Sequence, residues 1–477
     1  MLLVVCLAQF MVILDVSVVN VALPSIKTGL GFSATDLQWV LNAYTLTFAG
    51  FLLLGGRSAD LLGRRRVFIA GTALFAISSL ACALAESQGA LLAARALQGF
   101  SGAIVSPATL SIITSSLPEG HERNRGLGAW GAVGGLGASS GALLGGILTQ
   151  WLGWPAIFAI NLPLGALVIA LGFRVIPADR LSSAGRRHFD VTGAVLVTAG
   201  LVSLTYGIVR TDTLGWGSSG VLLPLALAAV LLAAFVLVEA RLSQAPLVPL
   251  SIFRLRQLRT ANLVVVLMYA ALFSMFFFVT LYLQQVLHDD ALQAGLSFLP
   301  ITLSVFTAST LAPRLVERFG LRSVVAGGLL SAMAGLLLLT GVAVDGSYLW
   351  PVLPAGIMCG FGMGLGLVAS TIAAVQGVPS ERSGLASGLL NTSRLFGGAL
   401  GLAVLSTIAT AHSHAAGHVS ALQGQTNGFA IAFWVGAAIC VVGAFVAAIG
   451  LQQPVRPRAV APRDSRTEAA DAEPLAA

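Results

Sequence analysis

Apolar runs of membrane-crossing length recur along almost the whole chain, and no other feature restricts its possible folds so severely. The hydrocarbon core of a bilayer takes roughly 20 apolar residues of α-helix. Runs of that kind fall near 2–24, 37–56, 67–86, 89–116, 126–150, 154–173, 190–209, 220–240, 260–287, 292–312, 323–343, 350–373, 383–411 and 427–451. Inside a membrane the backbone must satisfy its own hydrogen bonds, so each run is expected to be a helix. With 57% hydrophobic and 9% charged residues among 477, a soluble globular protein is excluded. The first run is read as a retained span, because no charged segment precedes it and it ends in Leu23-Pro24 instead of a small-residue cleavage site.

An even number of spans puts both termini on one side, and the basic residues say which. All but four of the 26 Lys and Arg then fall in loops or the tail on that side; Lys27 and Arg210 lie outside, and Arg95 and Arg394 lie within spans. The positive-inside rule makes that side cytoplasmic, in a multi-pass plasma-membrane protein. The net charge of +7 is spread along one membrane face without aromatic interleaving, which suits lipid headgroups and gives no nucleic-acid site. Cys6, Cys82, Cys359 and Cys440 all sit in apolar runs and read as small packing residues.

A repeat divides the chain. Arg57-x-x-Asp60-x-x-Gly63-x-Arg65-x-Val67 returns as Arg314-x-x-Glu317-x-x-Gly320-x-Arg322-x-Val324, offset by 257 residues and on the same side. Same-side copies imply parallel halves related by an axis along the membrane normal, with a substrate site at their interface. The expected organisation is a six-helix half at 1–173, a linker with two extra helices at 174–259, a second six-helix half at 260–451, and a disordered tail at 452–477.

Asp15 is the one acid that this placement buries deep. It lies about 20 Å along the first helix from Leu2, at about 1.5 Å per residue. A carboxylate at that depth costs a few kcal/mol and is expected to face a cavity or a partner. An acid that alternates between protonated and ionised forms as access switches sides can carry protons one way and release a bound cation the other; an acid held by a fixed hydrogen bond is the structural alternative. On a helical wheel Gln9, Ser17 and Asn20 share a face from which Asp15 points away, so Asn20 is assigned to helix packing. Along span nine, Asn262, Tyr269, Phe273 and Phe276 share a face with Thr280 and Gln284. Aromatic and uncharged polar groups so mixed suit a bulky amphipathic ligand, or simple packing.

Several stretches together resemble a known family. Leu14-Asp15-Val16-Ser17-Val18-Val19-Asn20-Val21-Ala22-Leu23-Pro24, Gln38-Trp39-Val40 with Tyr44, Gly56-Arg57-Ser58-Ala59-Asp60-Leu61-Leu62-Gly63-Arg64-Arg65-Arg66, Arg95-Ala96-Leu97-Gln98-Gly99, and Gly128, Gly137, Gly141, Gly145 and Gly146 follow one another in order. This series resembles the fourteen-span drug:proton antiporters of the major facilitator superfamily. Ser58, Leu61 and Ala142 depart from the usual Leu, Arg and Pro. The resemblance implies an all-α major facilitator fold with two six-helix halves and two inserted helices, and a proton-coupled exporter of amphipathic drugs or antibiotics. A dedicated exporter of a single metabolite is the alternative.

The resemblance associates Arg95 with proton coupling beside Asp15, and makes Gln38, Tyr44 and Gln98 candidates for the substrate cavity. Arg57, Asp60, Gly63, Arg64 and Arg65, with Glu317 and Arg322 in the second copy, form a candidate conformational lock, since charges at helix ends can hold one arrangement and break in the other. Gly137, Gly141 and Gly145, four apart, give one smooth helix face along which a neighbour can pack and rock. Arg394 is read either as a counterpart of Arg95 or as an ordinary interfacial arginine.

Other classes fare poorly. A membrane-embedded enzyme would need a convergent nucleophile and base, and Lys27, the only lysine, has no phosphate-loop context. His412-x-His414-x-x-x-His418 lacks a nearby acid for a metal site. The expected partners are a small organic molecule, protons and the bilayer, with no cofactor or metal, and the expected state is a monomer.

Overall fold

A computed structural model describes residues 1–452, apart from 33, 38, 178–189, 242–245, 247, 290, 377, 380–381 and 416–419. Among the described residues no strand forms, and fourteen long helices carry the chain. These are α1 (Leu2–Leu30), α2 (Trp39–Leu62), α3 (Arg64–Ala83), α4 (Gln88–Ser116), α5 (His121–Leu152), α6 (Asn161–Val175), α7 (Val191–Leu214), α8 (Ser219–Arg241), α9 (Arg256–Leu281), α10 (Leu299–Phe319), α11 (Leu321–Leu339), α12 (Val352–Val375), α13 (Ser383–Ala415) and α14 (Ala421–Gly450). Thirteen helical segments are long and apolar enough to cross a membrane. The 32-residue α5, rich in glycine along its middle, is the long helix outside that count, yet it lies in the bundle between α1 and α10.

Helix ends follow the local sequence. Gly31 takes a left-handed conformation (φ 68°) and closes α1, donating its N–H to the Lys27 carbonyl. Pro24 lies inside α1, so Lys27 sits in the last helical turn and not in an external loop as expected. Arg210 lies likewise within α7, and α13 continues through His412. The tail at 453–477 is outside the described residues.

The packing repeats with a shift of eight helices. In the first set α1 packs along α5, α2 along α4, and α3 along α4 and α6; in the second, α9 packs along α13, α10 along α12, and α11 along α12 and α14. The two sets meet through α2 against α13 and α5 against α10, pairs that the same shift interchanges. This is the arrangement of parallel repeats about an axis along the bundle. The inserted α7 and α8 pack on each other, and α7 covers the α2–α13 seam from outside. Gly63 (φ 101°) and Gly320 (φ 82°), the repeated glycines, precede α3 and α11. Their positive φ, which a side chain would oppose, lets the chain reverse directly into the next helix.

Candidate functional site

Asp15 lies at the centre of a closed polar cluster. Both of its oxygens are used: Oδ2 accepts from Arg95 Nη1 at 2.7 Å, and Oδ1 accepts from Gln98 Nε2 at 2.7 Å and Asn161 Nδ2 at 2.8 Å. Asp15 has 0% and Arg95 1% of its surface exposed. Arg95 also donates Nε to the Val40 carbonyl at 3.0 Å and Nη1 to Gln98 Oε1 at 2.6 Å. The Tyr44 and Phe158 rings flank its guanidinium, with centroids 4.5 and 5.7 Å away. The Ser79 hydroxyl accepts from Gln98 and from Asn161.

Three helices, α1, α4 and α6, therefore meet at one carboxylate, and Ser79 of α3 accepts from its two amide donors. A buried pair of this kind holds through the further hydrogen bonds that surround it, and removing one partner strands the other charge. The Tyr44 hydroxyl and the Asn161 carbonyl oxygen are buried here without a hydrogen-bond partner.

Sequence reasoning brings Asp15, Arg95, Gln98 and Tyr44 to notice but misses Asn161 and Ser79. Asn161 is the single amide of span six, and that is the signal that could have found it. Gln38 lies outside the described residues. Asn20 is exposed and donates to the Val16 carbonyl of its own helix at 3.0 Å, so it does not serve helix packing. Gln9 is buried instead and accepts from Thr109.

The span-nine candidates separate. Asn262 accepts from Ser393 of α13 at 2.8 Å, Phe273 lies against Gly398 with about half its surface exposed, and Phe276 packs on Phe298 with centroids 5.6 Å apart. Tyr269 lies in the field of Arg394.

One end of the bundle carries most of the arginines, and there hydrogen bonds join the two sets of helices. Asp60 at the end of α2 accepts from the backbone N–H groups of Gly384 and Leu385, both at 3.0 Å, in the first turn of α13. Arg64, 3.9 Å from Asp60, donates Nε to Ser111 at 2.9 Å; the Ser111 and Ser383 hydroxyls are 3.0 Å apart, and Ser387 donates to the Pro107 carbonyl at 3.2 Å. Gly56 and Gly384 face each other so closely that a Cβ on either would meet the other's carbonyl oxygen.

On the opposite seam His121 Nδ1 is 2.6 Å from Glu317 Oε1. Arg65 is engaged within the first set, donating to the Phe173 carbonyl at 2.6 Å, and Arg322 is exposed. Arg57 has a buried Nε without a hydrogen-bond partner. Gly137, Gly141 and Gly145 of α5 face α1: a Cβ at Gly137 would lie 3.0 Å from Ile13, one at Gly145 would lie 2.9 Å from the Val18 carbonyl oxygen, and one at Gly141 would overlap Ser17.

Comparison with known proteins matches residues 5–402 to the Major Facilitator Superfamily model. The chain belongs to the major facilitator superfamily. It is 42% identical over 404 residues to the cephamycin export protein of Amycolatopsis lactamdurans, covering 84% of this chain and 83% of that protein. It is also 38% identical over 479 residues to the puromycin resistance protein of Streptomyces alboniger, covering 98% and 92%. Among solved structures, the human organic anion transporter MFSD10 (TETRAN) superposes with a TM-score of 0.66 at 19% identity, covering 94% of this chain and 98% of that one, which is a likeness of fold.

This major facilitator chain buries a second arginine, Arg394, with 8% of its surface exposed. It is therefore not an interfacial arginine. Nη1 donates to Asn391 at 3.1 Å and Nη2 to Thr371 at 2.8 Å, and the guanidinium lies over the Trp130 ring of α5, 5.2 Å from its centroid. Among the described residues no group of three metal-ligating side chains forms.

Proposed function

We propose that this chain exports amphipathic organic compounds of the antibiotic type from the cytoplasm across the plasma membrane, in exchange for protons. The observation that carries the proposal is the Asp15 cluster: one carboxylate deep in the first helix, held by Arg95, Gln98 and Asn161, with both charges buried. Relatives named for cephamycin export and puromycin resistance support the substrate class. Both halves lie in one chain, so a monomer suffices.

The positive-inside rule places the arginine-rich end in the cytoplasm. In this reading the structure is closed to that side, through Asp60, Arg64, Ser111 and Ser383. The first half supplies the proton site and the α2–α13 and α5–α10 seams supply the rocking interface. Protonation of Asp15 removes the charge that Arg95 neutralises and frees the guanidinium to re-pair. The cluster then no longer holds α1, α4 and α6 in one arrangement, and the bundle switches. Release of that proton on the inner side restores the pair. Each inward proton contributes about 2.3 kcal/mol per 100 mV of membrane potential, apart from any pH gradient.

Drug efflux from loaded, energised vesicles tests the proposal, run with and without an uncoupler for the parent and Asp15→Asn. Efflux that an uncoupler stops in the parent and that the variant lacks is expected; uncoupler-insensitive efflux, or a fully active variant, contradicts the coupling.

A further inference from the structure

Arg95 and Arg394 are both buried, but their electrostatic settings differ. Arg95 has Asp15. Among the described residues no carboxylate pairs with Arg394; its hydrogen-bond partners are the neutral Asn391 and Thr371, and its buried Nε has no partner at all. A buried cation without a counter-charge is costly, and an intramembrane ionisable group that is not neutralised within the protein points to function. The groups around it belong to both halves. Thr371 (α12), Asn391 (α13) and Tyr269 (α9) come from the second, and Trp130 (α5) from the first. The Trp130 indole donates to Thr109 at 3.0 Å, and Thr109 to Gln9, so α1, α4 and α5 hold the indole in place from their side.

Depth adds direction. Gln9 and Thr109 lie seven residues from the arginine-rich ends of α1 and α4, or about 10 Å at 1.5 Å per residue, whereas Asp15 lies about 20 Å along α1. One helical turn beyond Thr371, at Val375, a cavity of about 330 Å³ opens toward that end, lined also by Thr114, Val378 and Ser383 and by Glu119, whose carboxylate is paired with Arg123 at 2.9 Å. The contact between Arg394 and Trp130 bridges the two halves. Any motion that parts the halves at this end withdraws the indole and uncovers the guanidinium to whatever enters.

We infer that Arg394 is an anion subsite for the transported molecule: an organic carboxylate, or an acid of similar charge and size, docks on its guanidinium between Thr371 and Asn391 while the aromatic body lies against Tyr269 and Trp130. In the closed state the electron-rich face of Trp130 covers the cation; in the open state the substrate's anion replaces it, with charge-assisted hydrogen bonds to Nε and the terminal nitrogens. The substrates preferred at this subsite are then amphipathic organic monoanions, while Asp15 is left to the proton. This rests on the export reading, whose proton step it does not alter.

Binding of a matched pair of fluorescent probes to the purified full-length protein tests the subsite: dansyl-phenylalanine, an aromatic monoanion, and its uncharged methyl ester. Lost charge-assisted hydrogen bonds correspond to roughly a tenfold or greater change in affinity. The parent is expected to bind the acid at least about tenfold tighter than the ester. Arg394→Gln is expected to bind the two alike, and Arg394→Lys to keep part of the preference. Ester binding by Arg394→Gln shows that the variant is folded; if it binds neither probe, Arg394→Lys decides: a reduced preference with ester binding intact supports the subsite, and an unchanged preference overturns it.

The same titration in chloride and in gluconate separates an inorganic-anion site from a substrate site. Preference abolished by chloride at physiological concentration, or an acid preference unchanged in Arg394→Gln, overturns the inference. If the preference is absent while uncoupler-sensitive efflux of other drugs persists, the subsite fails and the export reading stands. If the preference is present without any efflux, the reverse holds.

Discussion

The carboxylate of Asp60 caps the first turn of α13 at Gly384, 324 residues away in sequence, with a 3.0 Å hydrogen bond to the backbone N–H. A second bond of the same length reaches Leu385, so one acid side chain satisfies two of the free N–H groups at that helix start and places negative charge at the positive end of its dipole. Because α2 and α13 belong to different sets of helices, the proposed rocking would break this cap wherever it parts them.

Asp60→Asn keeps one acceptor and loses the charge. A cap of this kind contributes about 1 kcal/mol, so the closed arrangement should lose about fivefold in population relative to the open one, with the fold intact. Labelling of a cysteine placed at Ser387 by a membrane-impermeant thiol reagent, applied from the arginine-rich side, should speed up correspondingly. An unchanged labelling rate would show that the cap does not bias closure.

The Gly56–Gly384 approach makes a steric prediction. In Gly56→Val the new side chain meets the Gly384 carbonyl oxygen, and only parting of α2 from α13 relieves the overlap. The variant should insert and fold yet fail to transport, with Ser387 permanently reachable. Gly146 of α5 faces open space, with no heavy atom within 4 Å of a Cβ there, so Gly146→Ala should stay within about 0.5 kcal/mol of the parent in stability and transport normally.

The Asp15–Arg95 pair predicts an asymmetry in stability. Arg95→Ala leaves an uncompensated buried carboxylate and should cost roughly 3–5 kcal/mol. The double variant Asp15→Asn with Arg95→Gln removes both charges and should recover most of that loss while remaining unable to couple transport to protons. Thermal unfolding of the three purified proteins in one detergent checks this. A double variant no more stable than Arg95→Ala would mean that the pair's charges do not govern the packing of α1 against α4.

Much of the architecture was legible because the bilayer imposes it. Length and hydropathy of the apolar runs fix the helices, and the Arg57–Val67 repeat announces two halves. Asp15 and Arg95 stand out because charges in such runs are rare. Ser79 does not, since a hydroxyl in a span is ordinary until the fold aims it at a charge, and Asn161 is marked only by being the single amide of its span. A helical wheel puts Gln9 and Asn20 on one face away from Asp15 but cannot say which part of a face meets another helix: Gln9 is buried and Asn20 exposed.

Arg394 was ambiguous for a related reason. Its distance from the helix start suited an interfacial residue, and only the packing of α5 over it, through Trp130, buries it. The Asp60 cap links positions 324 residues apart, a distance across which sequence spacing carries no signal.

In the proposed mechanism Asp15 exchanges a proton during each transport cycle. Proteoliposomes holding an internal pH indicator and the purified protein measure this directly, when an outward drug gradient is imposed without any initial pH difference. Drug-dependent proton entry is expected in the parent and none in Asp15→Asn, although the variant still exchanges labelled for unlabelled drug. Drug-driven proton entry of equal size in Asp15→Asn would contradict that mechanism.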